Sequence, residues 1–305
     1  TIRQLDTPVT ELFINAVVSG LLLGGFYAAV ALGLSIVFGR LDIVNIAHPA
    51  FVIIGSYITF YVNENFGLDP IVASFLFMPL FFLLGIGMYR FYYVCFERTG
   101  QESLTGLAYF FGIMFIIEVL LILVFGVDYR NVQAPYIGET LWINDWIPLG
   151  NFKVSLPYRM LVPFIVASAV TGGVYLYLSK TFMGRAILAV SQDRIALQLM
   201  GADPIKVKQW AFGIAIATAA IAGALLIVIH PVEPSVGRLY IGRVFAIVIL
   251  GGMGSVSGTF FAALMIGIAE TLISTFIGPS WAPAAAYGIL LVTLAVRPQG
   301  LFGRG

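Results

Sequence analysis

The chain has 305 residues, of which 60% are hydrophobic and 10% charged, and its formal net charge is +1. Soluble domains usually contain about 45–50% apolar and about 25% charged residues, so this composition excludes an ordinary soluble domain and indicates an integral membrane protein. The small net charge argues against a nucleic-acid-binding surface. The single cysteine, Cys95, excludes a disulfide within the chain. We predict one transmembrane domain over residues 1–305.

Apolar windows long enough to cross a bilayer core of about 30 Å recur along the chain. Six of them are separate, and a seventh is long enough to be divided by glycine and proline into a short piece, a full helix and a short helix. We therefore predict an all-α, polytopic membrane protein of about eight transmembrane helices, with one or two broken or half-helices. The windows are Leu12–Phe38, Ile43–Asn63, Ile71–Tyr89, Ser103–Val127, Met160–Ser179, Gln209–Val232 and Val244–Val296.

The loop of residues 180–208 is the most basic connection, and it carries Lys180, Arg185, Arg194, Lys206 and Lys208. Cytoplasmic loops carry an excess of Lys and Arg, so this loop is predicted to face the cytoplasm. Alternation of the spans then places the N-terminus and the loop of residues 128–159 outside, and it favours an inside position for the C-terminal tail. The outer loop contains tryptophans such as Trp142 and Trp146, which suit either a surface for a soluble partner or anchoring at the membrane interface.

The same basic loop has local helix signals. Good helix formers run from Met183 to Met200, Gly201 is placed for a left-handed C-terminal cap, and Asp203 with Pro204 is typical of a new helix start. We predict a short cytoplasmic helix joined to the sixth span. Two interpretations stay open: the loop transmits force from a partner, or it is a solvated loop whose charges only set orientation.

Two stretches suggest broken helices at membrane depth, which require a protein-lined surrounding because backbone polar groups cannot face lipid unsatisfied. The first, residues 41–51, contains Asn45, His48 and Pro49. The second, residues 250–258, contains four glycines and two serines. The glycine-rich stretch is compatible with close helix packing or with lining a path for a polar solute.

Glu118 and Glu270 are the two carboxylates predicted to lie well inside spans. They suggest a proton relay or, alternatively, groups hydrogen-bonded within the bundle. The histidines are too isolated for a metal site, and no catalytic motif is found, so neither a metal nor a catalytic residue is assigned. The sequence also lacks the GxxxxGK[ST] phosphate-binding loop, so energy for pumping would come from another subunit.

The run MGRAILAVSQDRIALQLMGADPIKVKQWAF resembles the cytoplasmic loop of permease subunits of ABC importers of the branched-chain amino-acid type. Leu188 stands where the family usually has Arg, and Ser191 and Gln192 replace a small and acidic pair. NIAHP, LGGMGSVSGTFFAALMIGIAETL and RPQGLFG extend the likeness over most of the chain, although Pro49 replaces a usual glycine. The loop residues that match are Met183, Gly184, Arg185, Ala186, Ala189, Asp193 and Gly201.

The resemblance implies a permease in a bacterial inner membrane that forms half of the path for an amino acid, branched-chain or otherwise hydrophobic. It also implies a second related permease, expected to be a different chain, two cytoplasmic ATPases that hold ATP and Mg, and a soluble solute-binding protein outside. No cofactor and no nucleic acid is expected on this chain, and membrane lipid surrounds it. Similar permeases serve urea, amides or organic acids. The rival hypothesis is a proton-coupled secondary carrier that uses Glu118 and Glu270.

The predicted site has two parts. The residues expected to contact the ATPase are Met183, Gly184, Arg185, Ala186, Ala189, Asp193, Ala196 and Gly201. The residues expected along the path are Asn45, His48, Glu118, Gly251, Gly252, Gly254, Ser255 and Glu270.

Overall fold

The computed structural model describes residues 3–99, 102–143 and 153–303, which are almost entirely helical. Two three-residue strands, β1 (Thr140–Trp142) and β2 (Ser155–Pro157), pair antiparallel in the connection before α5. The helices are α1 (Arg3–Leu41), α2 (His48–Phe66), α3 (Pro70–Cys95), α4 (Glu102–Phe125), α5 (Tyr158–Lys180), α6 (Phe182–Ala189), α7 (Arg194–Leu199), α8 (Pro204–Ile229), α9 (Gly237–Gly251), α10 (Val256–Phe276) and α11 (Ala282–Val296).

Among the described residues, 8 helices are long and apolar enough to cross a membrane. They are α1, α3, α4, α5, α8, α9 with the turn before it, α10, and α11 with the turn before it. The 19-residue α2 is a further long helix, and its last turn is polar. The prediction of an all-α polytopic membrane protein is therefore confirmed.

Helix α8 is the centre of the bundle, and 94% of its most apolar window is buried within the protein. Its sequence is rich in alanine and glycine, so neighbouring backbones approach closely. The hydroxyl of Ser56 on α2, for example, donates to the carbonyl oxygen of Gly223 at 2.7 Å. A helix buried on all sides can pass a displacement of its cytoplasmic end to several neighbours at once.

Helices α1 and α10 form an antiparallel seam of small residues. A Cβ added at Gly20 would stand 2.6 Å from Cα of Ile268, and one at Gly24 would stand 2.6 Å from Cα of Leu264. The four-residue spacing of Gly20 and Gly24 puts both glycines on one face of α1, where they allow the two backbones to approach closely. The seam fixes how α10, and with it Glu270, lies against α1.

The contacts between segments agree with the predicted side of the membrane for each connection. The end of α1 contacts the α9–α10 turn, where Gly39 lies against Gly254, and the same turn contacts the C-terminal segment through Gly252 and Gly303. At the other end, the Asn63 side chain donates to the carbonyl oxygen of Gln133 at 3.0 Å. We call the side of α6 and α7 the cytoplasmic side because the basic residues concentrate there.

Two predicted boundaries are wrong. The second span begins at His48 rather than Ile43, because residues 42–47 run back along α1 without helical structure. Asp42 there has a φ of 56°, and the Asn45 side chain accepts from the Ala47 N–H at 3.1 Å. Helix α9 begins at Gly237 rather than Val244, so Arg238 and Arg243 lie inside a span. The interpretation of Glu118 and Glu270 as the ionised side chains within spans was therefore incomplete.

Candidate coupling surface and translocation path

The first part of the predicted coupling loop is an eight-residue helix, α6, held against the end of α5. The Thr181 hydroxyl oxygen accepts from the Gly184 N–H at 3.0 Å and caps the helix. A Cβ on Gly184 would overlap the backbone of Tyr177 and Leu178, so only glycine permits this approach. Ala186 is buried, whereas Arg185 is exposed to the cytoplasmic side.

The prediction of one continuous helix from Met183 to Met200 is wrong. A turn at residues 190–192 separates α6 from the six-residue α7. The Asp193 carboxylate accepts from the N–H groups of Ile195 at 2.8 Å and Ala196 at 2.9 Å, so Asp193 is an N-cap rather than an interior residue. The preference of Asp for this position was the local signal that our interpretation missed.

The predicted joint between α7 and α8 is confirmed. Gly201 has a φ of 80°, the left-handed conformation expected of a helix C-terminal cap. Asp203 accepts from the Ile205 N–H at 2.9 Å, and Pro204 opens α8. Because α7 reaches α8 through these few residues, a push on α7 acts directly on the central helix.

Helix α7 also presents an apolar surface that the sequence analysis did not recognise. Ile195, Leu199 and Met200 are 70%, 85% and 78% exposed, and Ala196 is exposed between them. Contiguous exposed apolar side chains next to polar ones are typical of a protein interaction site. The residues of the predicted coupling set that lie at α7 are thus exposed beside this apolar surface. Met183 and Ala189, which lie on α6, are partly buried.

A buried ion pair ties the base of α8 to the α3–α4 connection. The Lys208 ammonium contacts the Glu97 carboxylate, and their side chains are only 4% and 8% exposed. The Tyr89 hydroxyl donates to the same carboxylate at 2.6 Å. This network anchors the start of α8, next to the predicted coupling loop, to the rest of the bundle.

We expect Lys208→Met to lower the free energy of unfolding by about 3 kcal/mol, because it leaves the Glu97 carboxylate buried without its counter-ion. The matched control is Lys206→Met, which removes an exposed ammonium from the same helix turn. Chemical denaturation of the purified protein in detergent measures both changes. Equal stability of the two variants would show that the Glu97–Lys208 ion pair does not stabilise the fold.

The first predicted path stretch is buried inside the bundle. Asn45 and His48 are 0% exposed. His48 Nε2 lies 3.1 Å from the Val30 carbonyl oxygen, in the middle of α1, and a Cβ on Gly33 would overlap the imidazole. Pro49 occupies the first turn of α2, where its missing N–H costs no helical hydrogen bond. A path role for Asn45 and His48 stays a prediction, and in this conformation both side chains are fully buried.

The glycine-rich stretch is a tight turn between α9 and α10. Gly252 and Gly254 have φ values of 85° and 78°, and Ser255 caps α10 by accepting from the Gly258 N–H at 3.1 Å. A Cβ on Gly251 would stand 2.5 Å from the Thr259 backbone nitrogen. The turn is thus closely packed against the end of α1 and the C-terminal segment. Packing is the interpretation that this geometry favours, and a path role stays a prediction.

Both intramembrane carboxylates are paired with arginines of α9. Glu118 on α4 accepts from Arg238 through two bonds, one of them from Nε at 2.8 Å. Glu270 on α10 accepts from Arg243 Nε at 2.9 Å and from the Tyr27 hydroxyl at 2.6 Å. This arrangement agrees with the alternative in which the two carboxylates are hydrogen-bonded within the bundle. Within the described residues, no group of three or more His, Cys, Asp or Glu side chains is placed to hold a metal ion.

The outer connection is partly described, and Trp146 lies outside the described residues. Trp142 is 46% exposed on β1. Asn63 accepts from the Gln133 N–H at 3.0 Å and so ties this connection to α2. Burial, followed by the nearby Asp69 carboxylate, raises the pKa of the Tyr136 phenol, so this phenol stays neutral at pH 7. The folded part of the connection can present a fixed surface on the outer side.

A polytopic helical bundle with a capped segment on its basic side and a short, ion-paired helix α9 is the architecture of a multi-pass membrane protein. The family model described as branched-chain amino acid transport system / permease component matches residues 16–296. The chain belongs to this family of transport permeases.

Relatives match over nearly the whole chain. The high-affinity branched-chain amino acid transport system permease protein LivH of Salmonella typhimurium is 28% identical over 96% of both chains. BraD of Pseudomonas aeruginosa, described in the same terms, is also 28% identical over 96% of both. LivM of Escherichia coli, another permease protein of such a system, is 25% identical over 90% of this chain and 67% of its own. Among solved structures, PsaBC from Streptococcus pneumoniae in complex with Fab matches with a TM-score of 0.49 and 11% identity, covering 93% of this chain and 91% of that chain.

Proposed function

We propose that this permease is one of two related membrane subunits of an ATP-driven importer in a bacterial inner membrane. It forms half of the path for an amino acid, branched-chain or otherwise hydrophobic, that a soluble binding protein delivers from outside. The observation that carries the proposal is the exposed apolar surface of α7, joined through Gly201 and Asp203 to the most buried helix. Such a surface has no use in a solvated loop that only sets orientation.

The energy source in this proposal is a pair of cytoplasmic ATPases that bind ATP and Mg. Their contact surface is α6 and α7, where Arg185 supplies charge and Ile195, Leu199 and Met200 supply apolar area. Closure of the ATPases displaces α7, and the short joint passes that displacement to α8. The coupling is reciprocal. The factor by which a docked binding protein raises the affinity of the permease for nucleotide-bound ATPases equals the factor by which those ATPases raise its affinity for the binding protein.

A second, different permease is supported by the relatives. Escherichia coli has both a LivH and a LivM that this chain matches, at 27% and 25% identity, and each is described as a permease protein of a branched-chain amino acid transport system. By analogy, this chain pairs with a related partner, and the path runs between them.

The rival proton-coupled carrier has less support. Glu118 and Glu270 each have a guanidinium partner on α9, so ion pairing within the bundle accounts for both carboxylates without a proton path. The rival also leaves the apolar face of α7 without a purpose. An uncoupler that abolished uptake while ATP stayed constant would favour the carrier.

The test uses the complete importer reconstituted in vesicles with its binding protein and ATP. We expect Gly201→Val, which forces a β-branched residue into a left-handed conformation, and Arg185→Glu to lower uptake per ATP hydrolysed by about tenfold. Gly201→Asn is the matched control because asparagine tolerates this conformation, so it should retain most of the coupling. Unchanged uptake per ATP in both test variants would remove the coupling role, and uptake without any ATPase would remove the importer.

A further inference from the structure

Arg238 lies at the start of α9, below the outer membrane surface. Helix α9 has 15 residues and is therefore about 22 Å long, whereas the bilayer core is about 30 Å thick. Its end is fixed at the cytoplasmic side, where Gly252 packs against Gly303. Its start, where Gly237 packs against Pro49 and Ile53 of α2, therefore lies inside the bilayer core rather than at the outer surface.

The Arg238 guanidinium is held in place and yet open on one side. Glu118, whose side chain is 8% exposed, accepts from Nε and one Nη of Arg238, while the Arg238 side chain is 50% exposed. Its Cζ atom lies 5.2 Å from the centre of the Phe115 ring. An arginine has five N–H groups, so three of those on Arg238 have no partner among the described residues.

An open guanidinium at this depth cannot face lipid. A free arginine there would extend its side chain toward the interface, but the two bonds to Glu118 hold this one inside. Charged groups at membrane depth face a water-filled cavity or a polar partner. Leu239, next to Arg238, is 63% exposed. The open side of Arg238 therefore lines the wall of a path and does not belong to the lipid-facing surface.

We propose that Arg238 binds the carboxylate of the transported solute within the membrane, and that Glu118 is the positioning residue that orients the guanidinium. The inference rests on the proposed function, because the solute is an amino acid only in that proposal. Arginine pairs with a carboxylate through directional, charge-assisted bonds, and three N–H groups are open for this purpose. Glu118 partly neutralises the positive charge of Arg238. The guanidinium therefore holds the solute carboxylate weakly enough for the solute to be released.

The first test asks whether this wall faces water, and its outcome does not depend on the proposed function. In a Cys95→Ser background, Leu239→Cys and Ile116→Cys are exposed to a membrane-impermeant methanethiosulfonate reagent in spheroplasts. Ile116, 59% exposed on α4, is the lipid-facing control near the same depth. We expect Leu239→Cys to react at least about tenfold faster, because thiols react as hydrated thiolates. Equal, slow reaction at both positions would overturn the proposal.

The second test asks what the site binds. In the assembled importer, leucine should slow the reaction of Leu239→Cys several-fold, whereas isoamylamine, which lacks the carboxylate, should not, and Arg238→Gln should abolish the effect of leucine. The absence of slowing by leucine, or equal slowing by both compounds, contradicts carboxylate binding. Failure of ATP-dependent uptake in the unmodified complex would instead reject the proposed function and leave the result of the first test standing.

A third measurement separates recognition from folding. Arg238→Gln leaves Glu118 without its partner, so the double variant Arg238→Gln/Glu118→Gln removes both charges. We expect about tenfold lower leucine uptake in the double variant, with Arg238→Lys closer to the unmodified protein, because lysine keeps the charge but loses the planar fork. Full uptake in the double variant would mean that Arg238 serves only to neutralise Glu118, and the proposal would be wrong.

Discussion

Replacing Glu270 with leucine should lower the free energy of unfolding by about 3–5 kcal/mol, because the substitution leaves the Arg243 guanidinium inside the bundle without its counter-ion. The carboxylate is 3% exposed at its side chain and the guanidinium 17%, so water cannot replace the lost partner. The Tyr27 hydroxyl loses its acceptor in the same variant. Chemical denaturation in detergent measures the change.

The control is the double variant Glu270→Leu/Arg243→Met, which removes both charges and keeps similar volumes. Replacing a buried pair with apolar residues is often neutral or stabilising, so the double variant should recover most of the lost stability. A single variant as stable as the double one would show that Arg243 finds another partner or reaches water, and the structural role assigned to this pair would be withdrawn.

Gly24→Leu should separate α1 from α10 and lower stability by about 3 kcal/mol. The added Cβ would stand 2.6 Å from Cα of Leu264 and 2.8 Å from the Ala263 carbonyl oxygen, and both are backbone atoms that cannot move aside as a side chain can. The loss should be visible as a lower unfolding midpoint and a smaller monodisperse fraction after purification.

Gly87→Leu is the matched control for this substitution. Gly87 lies on the exposed face of α3, and a Cβ there meets nothing within 4 Å. Leucine has a higher helix propensity than glycine, so this variant should be as stable as the unmodified protein or slightly more stable. If both substitutions lowered stability equally, the loss at Gly24 would come from replacing any helical glycine with leucine and not from a clash between α1 and α10.

The joint between α7 and α8 could be predicted from the sequence because its signals are local. Gly201, Asp203 and Pro204 each act within one helix turn, and the structure places all three as expected. Asp193 carried an equally local signal, but the surrounding helix formers favoured continuation, and the aspartate cap prevailed. Propensity summed over a window is a weak guide where one side chain offers the backbone an alternative bond.

The start of α9 could not be predicted from hydropathy. Arg238 and Arg243 look like loop residues in a window average, and only their pairing with Glu118 and Glu270, 120 and 27 residues away, makes them compatible with the bundle. The available signal was the charge balance itself, since two carboxylates predicted inside spans require two cations nearby. The contact of α2 with the middle of α1 likewise depends on tertiary packing.

The pairing of α9 also sets an order on biosynthesis. When α9 leaves the ribosome, Glu118 is already in the membrane and can neutralise Arg238, but the partner of Arg243 is 27 residues further along the chain. An isolated α9 would carry an uncompensated cation into the hydrocarbon, which opposes its release from the translocon. We therefore expect α9 and α10 to enter the bilayer as a hairpin, and we expect a chain truncated before Glu270 to insert α9 less efficiently.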